Sequence, residues 1–134
     1  MFDLLILTLE DTLFSGPVRS ILIPGVEGYF QVLPNHAPLV ALVKCGRVEI
    51  SYEESKEVYA ISGGFFEFAH NQATLIADAF EKASEIDYNR AVASLEKANE
   101  RLSSSNNSIE LESIKQAIKR AENRIRIYNS LKSL

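Results

Sequence analysis

The 134-residue sequence has no tryptophan, one cysteine, one methionine and two histidines. A lone Cys45 permits no internal disulfide, which suits a reducing compartment. The two imidazoles, His36 and His70, are not arranged for a metal site of the usual kind. Such a site needs several convergent ligands at motif spacing, so no metal is assigned. A G-x-x-x-x-G-K-[ST] loop that would cradle phosphate is also missing. No apolar run approaches the ~20 residues that span a bilayer. The opening Met1-Phe2-Asp3-Leu4-Leu5 has no basic flank and meets an acid at once, unlike a signal peptide. Excess positive charge is absent too: a net charge of -4 gives no general electrostatic reason to bind nucleic acid. What remains is an apolar share of 46% against 24% charged, the balance of a globular chain of one domain or a domain with an appendage.

The last 70 residues contain neither glycine nor proline. All six glycines and all four prolines lie before residue 65, and ten of the twelve Phe and Tyr residues lie in the first 80. That shift marks two architectures. The first part predicts short strands over Leu4 to Leu9, Val18 to Ile23, Val40 to Val43, Val48 to Tyr52, Val58 to Ile61 and Ala73 to Ala77. Turn signals stand between them at Ser15-Gly16-Pro17, Pro24-Gly25, Pro34-Asn35, Cys45-Gly46 and Asn71-Gln72. Spacing of about ten residues argues for an all-β sandwich or barrel, closing near residue 83. Ser62-Gly63-Gly64 is expected to form a tight turn or bulge where backbone approaches backbone.

The second part predicts two helices. Ser84 or Asp87 can cap the first, whose apolar positions are Ala91, Leu95, Ala98 and Leu102. The polar run Ser103 to Ser108 should break it. Asn107, with Glu110 three residues on, can cap the second. Leu111, Ile114, Ile118, Ala121, Ile125 and Tyr128 then follow at alternating spacings of three and four, a coiled-coil-like seam. A short polar turn between two such helices predicts an antiparallel hairpin, its second helix roughly 33 Å long. The expected architecture is thus a β-sandwich over residues 1–84 followed by a helical hairpin over 85–134. Such a hairpin has a thin core and needs a further surface, on the sandwich or on a partner.

Charge divides along the same line. Residues 1–108 hold 8 basic and 15 acidic groups, residues 109–134 hold 6 and 3. An antiparallel hairpin would bring Arg90, Arg120 and Arg124 near Glu81 and Asp87. Two readings fit: salt bridging within the chain, as between Arg90 and Asp87, or arginines that grip phosphate oxygens. His36 could pair with Cys45 or a serine as a base, but nothing singles out such a pair and no catalytic residue is assigned.

The stretches "GYFQVLPNHAPLVALVKCG" (Gly28–Gly46), "ISGGFFEFAHNQATLIADAFEKA" and "IDYNRA" resemble the epsilon subunit of F-type ATP synthases, in order and spacing, from near residue 3 to near residue 130. The combination of L-P-x-H-A-P-L, S-G-G-F and I-D-x-x-R-A carries the resemblance. It implies a β-sandwich of about ten strands with a C-terminal antiparallel helical hairpin, in a non-catalytic subunit of the bacterial or organellar central stalk. The implied partners are the gamma subunit, the c-subunit ring and the catalytic beta subunit. The implied place is peripheral, on the cytoplasmic face of the bacterial inner membrane, in a proton- or sodium-translocating complex. Tyr29, Gln31 and His36 are implied in docking to the c ring or gamma, although the family often has an acid where Tyr29 stands and usually has glycine where Gln31 stands. Arg120, Arg124 and Arg126 would face an acidic segment of beta when the hairpin extends to restrain ATP hydrolysis. In members whose folded hairpin binds ATP, with or without magnesium, the matching positions are Glu81, Ile86, Asp87, Arg90, Ala91, Arg120 and Arg124. Two further basic positions of strong binders fall on Ser113 and Lys97. No cofactor is implied as a requirement.

Overall fold

The computed structural model describes residues 1–132, so Ser133 and Leu134 of the expected hairpin lie outside the described residues. Ten strands come first: β1 (Phe2–Leu7), β2 (Thr12–Val18), β3 (Ser20–Gly25), β4 (Gly28–Val32), β5 (Leu39–Val43), β6 (Gly46–Ser51), β7 (Lys56–Ile61), β8 (Gly64–Ala69), β9 (Gln72–Ala77) and β10 (Phe80–Lys82). A one-turn 3-10 helix (Ala83–Glu85) leads to α1 (Tyr88–Ser104) and α2 (Ser108–Lys132). The chain divides into two compact units, Met1–Lys82 and a second that begins at Ala83.

In the first unit the strands hydrogen-bond in the order β10-β7-β6-β3-β5-β8-β9-β1-β2, with β4 paired to β3. β1 runs parallel to β9 and the other pairs are antiparallel. Period-two alternation drives the burial. Phe2, Leu4 and Ile6 of β1 point inward, joined by Ile21, Ile23, Val48, Ile50, Phe66, Phe68 and Leu75 from the other strands. Two aromatic contacts span this interior, Phe2 with Phe68 at 5.4 Å and Phe30 with Phe66 at 5.8 Å between ring centroids. The result is the all-β sandwich of about ten strands.

Several strand and turn assignments differ from the sequence reading. Ser15-Gly16-Pro17 is not a turn but lies within β2, and the expected strand Val18 to Ile23 divides at Arg19 between β2 and β3. β2 ends the hydrogen-bonding path, and an edge strand tolerates proline because one side needs no N–H donors. The turn expected at Pro24-Gly25 falls at Val26-Glu27, where Gly25 and Gly28 face each other across a two-residue loop. The turn expected at Asn71-Gln72 falls at His70-Asn71, both with positive φ (51° and 58°), as a type I′ hairpin turn requires. β4, β8 and β10 have no counterpart among the six strands read from the sequence. Ser62-Gly63-Gly64 does bring backbone close to backbone, since a Cβ on Gly64 would lie 2.1 Å from the Ile76 carbonyl oxygen.

In the second unit Asp87 caps α1, its Oδ1 accepting from the Arg90 amide at 3.0 Å. Asn107 caps α2, its Oδ1 accepting from the Ile109 and Glu110 amides at 2.9 and 3.3 Å. α1 persists through Ser103 and Ser104, whose hydroxyls bond back to the Glu100 carbonyl, so the break is confined to residues 105–107. The helices run antiparallel. Tyr88 at the start of α1 meets Tyr128 near the end of α2 with ring centroids 5.0 Å apart, and Arg101 meets Glu110 at 3.9 Å by the connecting turn. Of the predicted seam, Ala91, Ala98, Ile114 and Ala121 are buried, while Leu95, Leu102, Leu111, Ile118, Ile125 and Tyr128 are half-buried. Asn123 and Ile127 are buried outside that seam. α2 touches the 3-10 turn as well as α1, and two neighbours bury more than one stripe.

Candidate functional site

The proline-flanked loop after β4 is a tight turn. His36 N–H donates to the Leu33 carbonyl at 3.1 Å, and Asn35 has φ 64°. Proline second and a positive φ third are the marks of a type II turn, a conformation that asparagine tolerates. His36 is exposed on this turn, its Nδ1–H donating to the Ala37 carbonyl at 2.7 Å and its ring edge-on to buried Phe68 at 5.9 Å. The carbonyl can only accept, so Nδ1 carries the hydrogen of this bond. Leu33, 53% exposed, stands beside it. Among the described residues no group of three His, Cys, Asp or Glu side chains is placed to hold a metal ion.

Tyr29 and Gln31 share the outer side of β4. Tyr29 lies at the end of that strand away from the turn, roughly 13 Å from Leu33 at 3.3 Å per residue. Its hydroxyl accepts from the Arg47 amide at 3.0 Å and would sit 2.9 Å from a Cβ on Gly46, which ties it over the β5–β6 connection. Gln31 is exposed, its Nε2 3.5 Å from Ser20 Oγ. Of the three residues implied in docking, Tyr29 and His36 thus stand at opposite ends of β4.

A second feature was not among the expected residues. Leu42 on β5, Phe65 on β8 and Ile76 on β9 are direct register partners, 64%, 37% and 45% exposed, and Val40 adds a fourth exposed apolar side chain one step along β5. They form a continuous apolar row on the outer face of the sheet. Covering what is still exposed of each side chain would contribute roughly 1 kcal/mol, about half the value of full burial. The signal was present in the sequence. Leu39 to Val43 is apolar at every position, whereas a strand with one solvated face should alternate.

Of the hairpin positions, Ile86 and Ala91 are buried, Asp87, Arg90, Arg120 and Arg126 are exposed, and Arg124 is half-buried. Glu81 belongs to the first unit, in β10 opposite Ala60. The Tyr88–Tyr128 contact places Arg90 and Arg124 at the same end of the hairpin, with Arg120 one turn further along. Among the described residues no ion pair joins Arg90 to Asp87; the Arg90 backbone amide binds that carboxylate instead. Arg90 and Arg120 are exposed at this end, whereas Ile86 and Ala91 are buried and apolar and offer a ligand no polar side chain.

A small β-sandwich with an apolar outer row and an exposed turn, followed by a helical hairpin, has the features of a docking protein, since a contiguous exposed apolar patch marks an interaction site. The profile of the ATP synthase delta/epsilon chain beta-sandwich domain matches residues 1–83, and that of the delta/epsilon chain long alpha-helix domain matches residues 84–129. The chain is 44% identical over 105 residues to the ATP synthase epsilon chain of Protochlamydia amoebophila, covering 78% of this chain and 71% of that one. It is 35% identical to the ATP synthase epsilon chain of Desulforamulus reducens over 121 residues, or 90% and 92% of the two chains. Among solved structures it resembles a chain of the Euglena gracilis mitochondrial ATP synthase assembly of OSCP, F1 and c-ring, with TM-score 0.79, 26% identity and coverage of 90% and 76%. A chain of the Tetrahymena thermophila central stalk and c-ring assembly shares the fold, with TM-score 0.61 at 12% identity. The chain belongs to the ATP synthase delta/epsilon chain family, and the relatives named here carry the epsilon name.

Proposed function

We propose that this chain is the epsilon subunit of an F-type ATP synthase, a non-catalytic rotor part at the foot of the central stalk. It would bind the gamma subunit and the c-subunit ring and so couple ring rotation, driven by protons or sodium ions, to the catalytic head. The observation that carries this is the pair of exposed features on one sandwich, the Leu42–Phe65–Ile76 row and the Leu33–His36 turn. They lie at different ends of β5 and β8, so one partner can cover the row while another meets the turn. We assign the row to gamma and the turn to the ring. No described helix is long and apolar enough to cross a membrane, so the attachment proposed is peripheral, through the ring, on the cytoplasmic face. Phe65→Glu places a charge in the row at a position that is 37% exposed. It should weaken binding to purified gamma by at least about tenfold while thermal stability holds. Unchanged binding would refute the assignment of the row.

The hairpin is proposed to restrain ATP hydrolysis, with Arg120, Arg124 and Arg126 meeting acidic groups of the beta subunit. A second reading has ATP as a regulatory ligand of the folded hairpin, favoured by the exposed guanidinium groups of Arg90 and Arg120. These and Arg124 would hold the phosphates, and a ligand held by the folded form shifts the population towards it. Calorimetry of the full chain with ATP, with and without magnesium, should show binding that Arg120→Ala weakens. No heat at millimolar ATP would end that reading.

A further inference from the structure

The Leu33–His36 turn is tied to a residue far away in the sequence. Proline 34 has no N–H, and the His36 N–H closes the turn on the Leu33 carbonyl, so the remaining central donor is the Asn35 amide. That amide donates to Asn71 Oδ1 at 2.8 Å. The same side chain donates through Nδ2 to the Met1 carbonyl at 3.0 Å, and the Asn71 carbonyl accepts from the Asp3 amide at 3.4 Å. Its orientation is unambiguous: an amide N–H needs the oxygen, and a carbonyl needs the nitrogen. Asn71 can reach both because it sits second in the type I′ turn between β8 and β9, at φ 58°. Phe68 on β8 supports the ring of His36 from the same hairpin.

We infer that Asn71 is a positioning residue for the Leu33–His36 turn, holding it in the shape it presents to a partner. The inference rests on the reading above, in which that turn meets the c ring. A turn held in its bound shape loses less freedom on docking, so the clamp contributes affinity without touching the partner. Neither the two prolines nor the turn's own hydrogen bond engages the Asn35 amide; Asn71 does.

Two variants of the full chain test this. Asn71→Gly keeps the positive φ and removes both side-chain bonds, whereas Asn71→Asp keeps the acceptor and tolerates the backbone. Amide hydrogen exchange followed by NMR should show the Asn35 amide released about tenfold in the glycine variant and within about threefold of wild type in the aspartate variant, the scale of one hydrogen bond. The strand amides of β8 and β9 report whether the hairpin itself has opened. If Asn35 exchanges alike in wild type and Asn71→Gly, or if Asn71→Asp behaves as the glycine variant does, the inference is overturned. Titration onto the purified c-subunit ring with gamma bound should then show Asn71→Gly weaker by about fivefold and Asn71→Asp little changed. Released Asn35 exchange with unaltered affinity would instead overturn the assignment of the turn to the ring, leaving the turn itself positioned by Asn71.

Discussion

Glu49 lies on β6 with 9% of its surface exposed, one carboxylate oxygen 2.7 Å from Lys56 Nζ and the other 3.0 Å from Arg47 Nε. Burial pushes its carboxyl up, but the hydrogen bonds and charges of Lys56 and Arg47 outweigh burial and hold it below the ordinary carboxylate value of 4.5. A carboxylate depressed in the folded state contributes stability that is fully present above the unfolded value and is lost as pH falls through the folded one. Glu49→Gln should therefore cost about 1 kcal/mol at pH 7, modest because both cations are largely exposed. Urea denaturation along a pH series should show that difference shrinking below pH ~4.5, the ordinary carboxylate value. A difference independent of pH would mean that packing, not charge, sets the cost. Nearby, Tyr59 stacks on Phe80 at 4.5 Å and donates its hydroxyl to Glu57. Burial first and the Glu57 carboxylate second push that phenol well up, so it stays neutral and fastens β10 to β7.

Among the elements, β8 serves the core, the apolar row and the proline-flanked turn at once. Phe66 and Phe68 face the core, Phe65 faces outward in the apolar row, and the strand ends in the turn that holds Asn71. Its first residue sets the register. Gly64 pairs with Val43 on one side and Ala77 on the other, and its missing side chain leaves room for the Ile76 carbonyl. Gly64→Ala would force a Cβ to within 2.1 Å of that oxygen, so β9 must shift. The expected cost is at least about 2 kcal/mol, a fall of roughly 10 °C in Tm for a unit of this size. Calorimetric melting checks it, and a Tm within a degree or two of wild type would show that the β8–β9 pairing has slack. The helical elements are less demanding, since Asp87 and Asn107 begin them with local bonds only.

For the whole molecule, the two units differ in what holds them together. The first encloses a core of large side chains, including Phe66, Phe68, Leu75 and Ile50, all under 2% exposed. The second buries Ala83, Ala91, Ala98 and Ala121, which contribute little apolar area, beside Ile86, Ile114 and Ile127. A fragment of residues 1–82 should fold cooperatively with a β-rich circular dichroism spectrum. A fragment of residues 83–134 should retain less than roughly half of its helix, because marginal helices depend on tertiary packing. Cooperative melting of the isolated hairpin would contradict this. A hairpin whose buried side chains are so often alanine is suited to the regulatory role proposed for it.

The sequence by itself determined the features that short-range interactions decide. The loss of glycine and proline after residue 64, the three-four spacing of Ile114, Ile118 and Ala121, the caps at Asp87 and Asn107 and the turn at Pro34-Asn35 each depend on neighbours within a few residues. The family motifs were legible for the same reason, as fixed local strings. Only the tertiary structure decided which strand became an edge, and so why Pro17 could lie inside β2. It also decided that Leu42, Phe65 and Ile76 align outward, and that Asn71 reaches Asn35, 36 residues earlier. The hairpin's buried Asn123 and Ile127 likewise depended on a second neighbour that no helical period encodes. Strand pairing joins residues tens of positions apart and exchanges one set of backbone hydrogen bonds for another of similar strength. The choice among pairings is therefore made by which side chains the completed core can enclose.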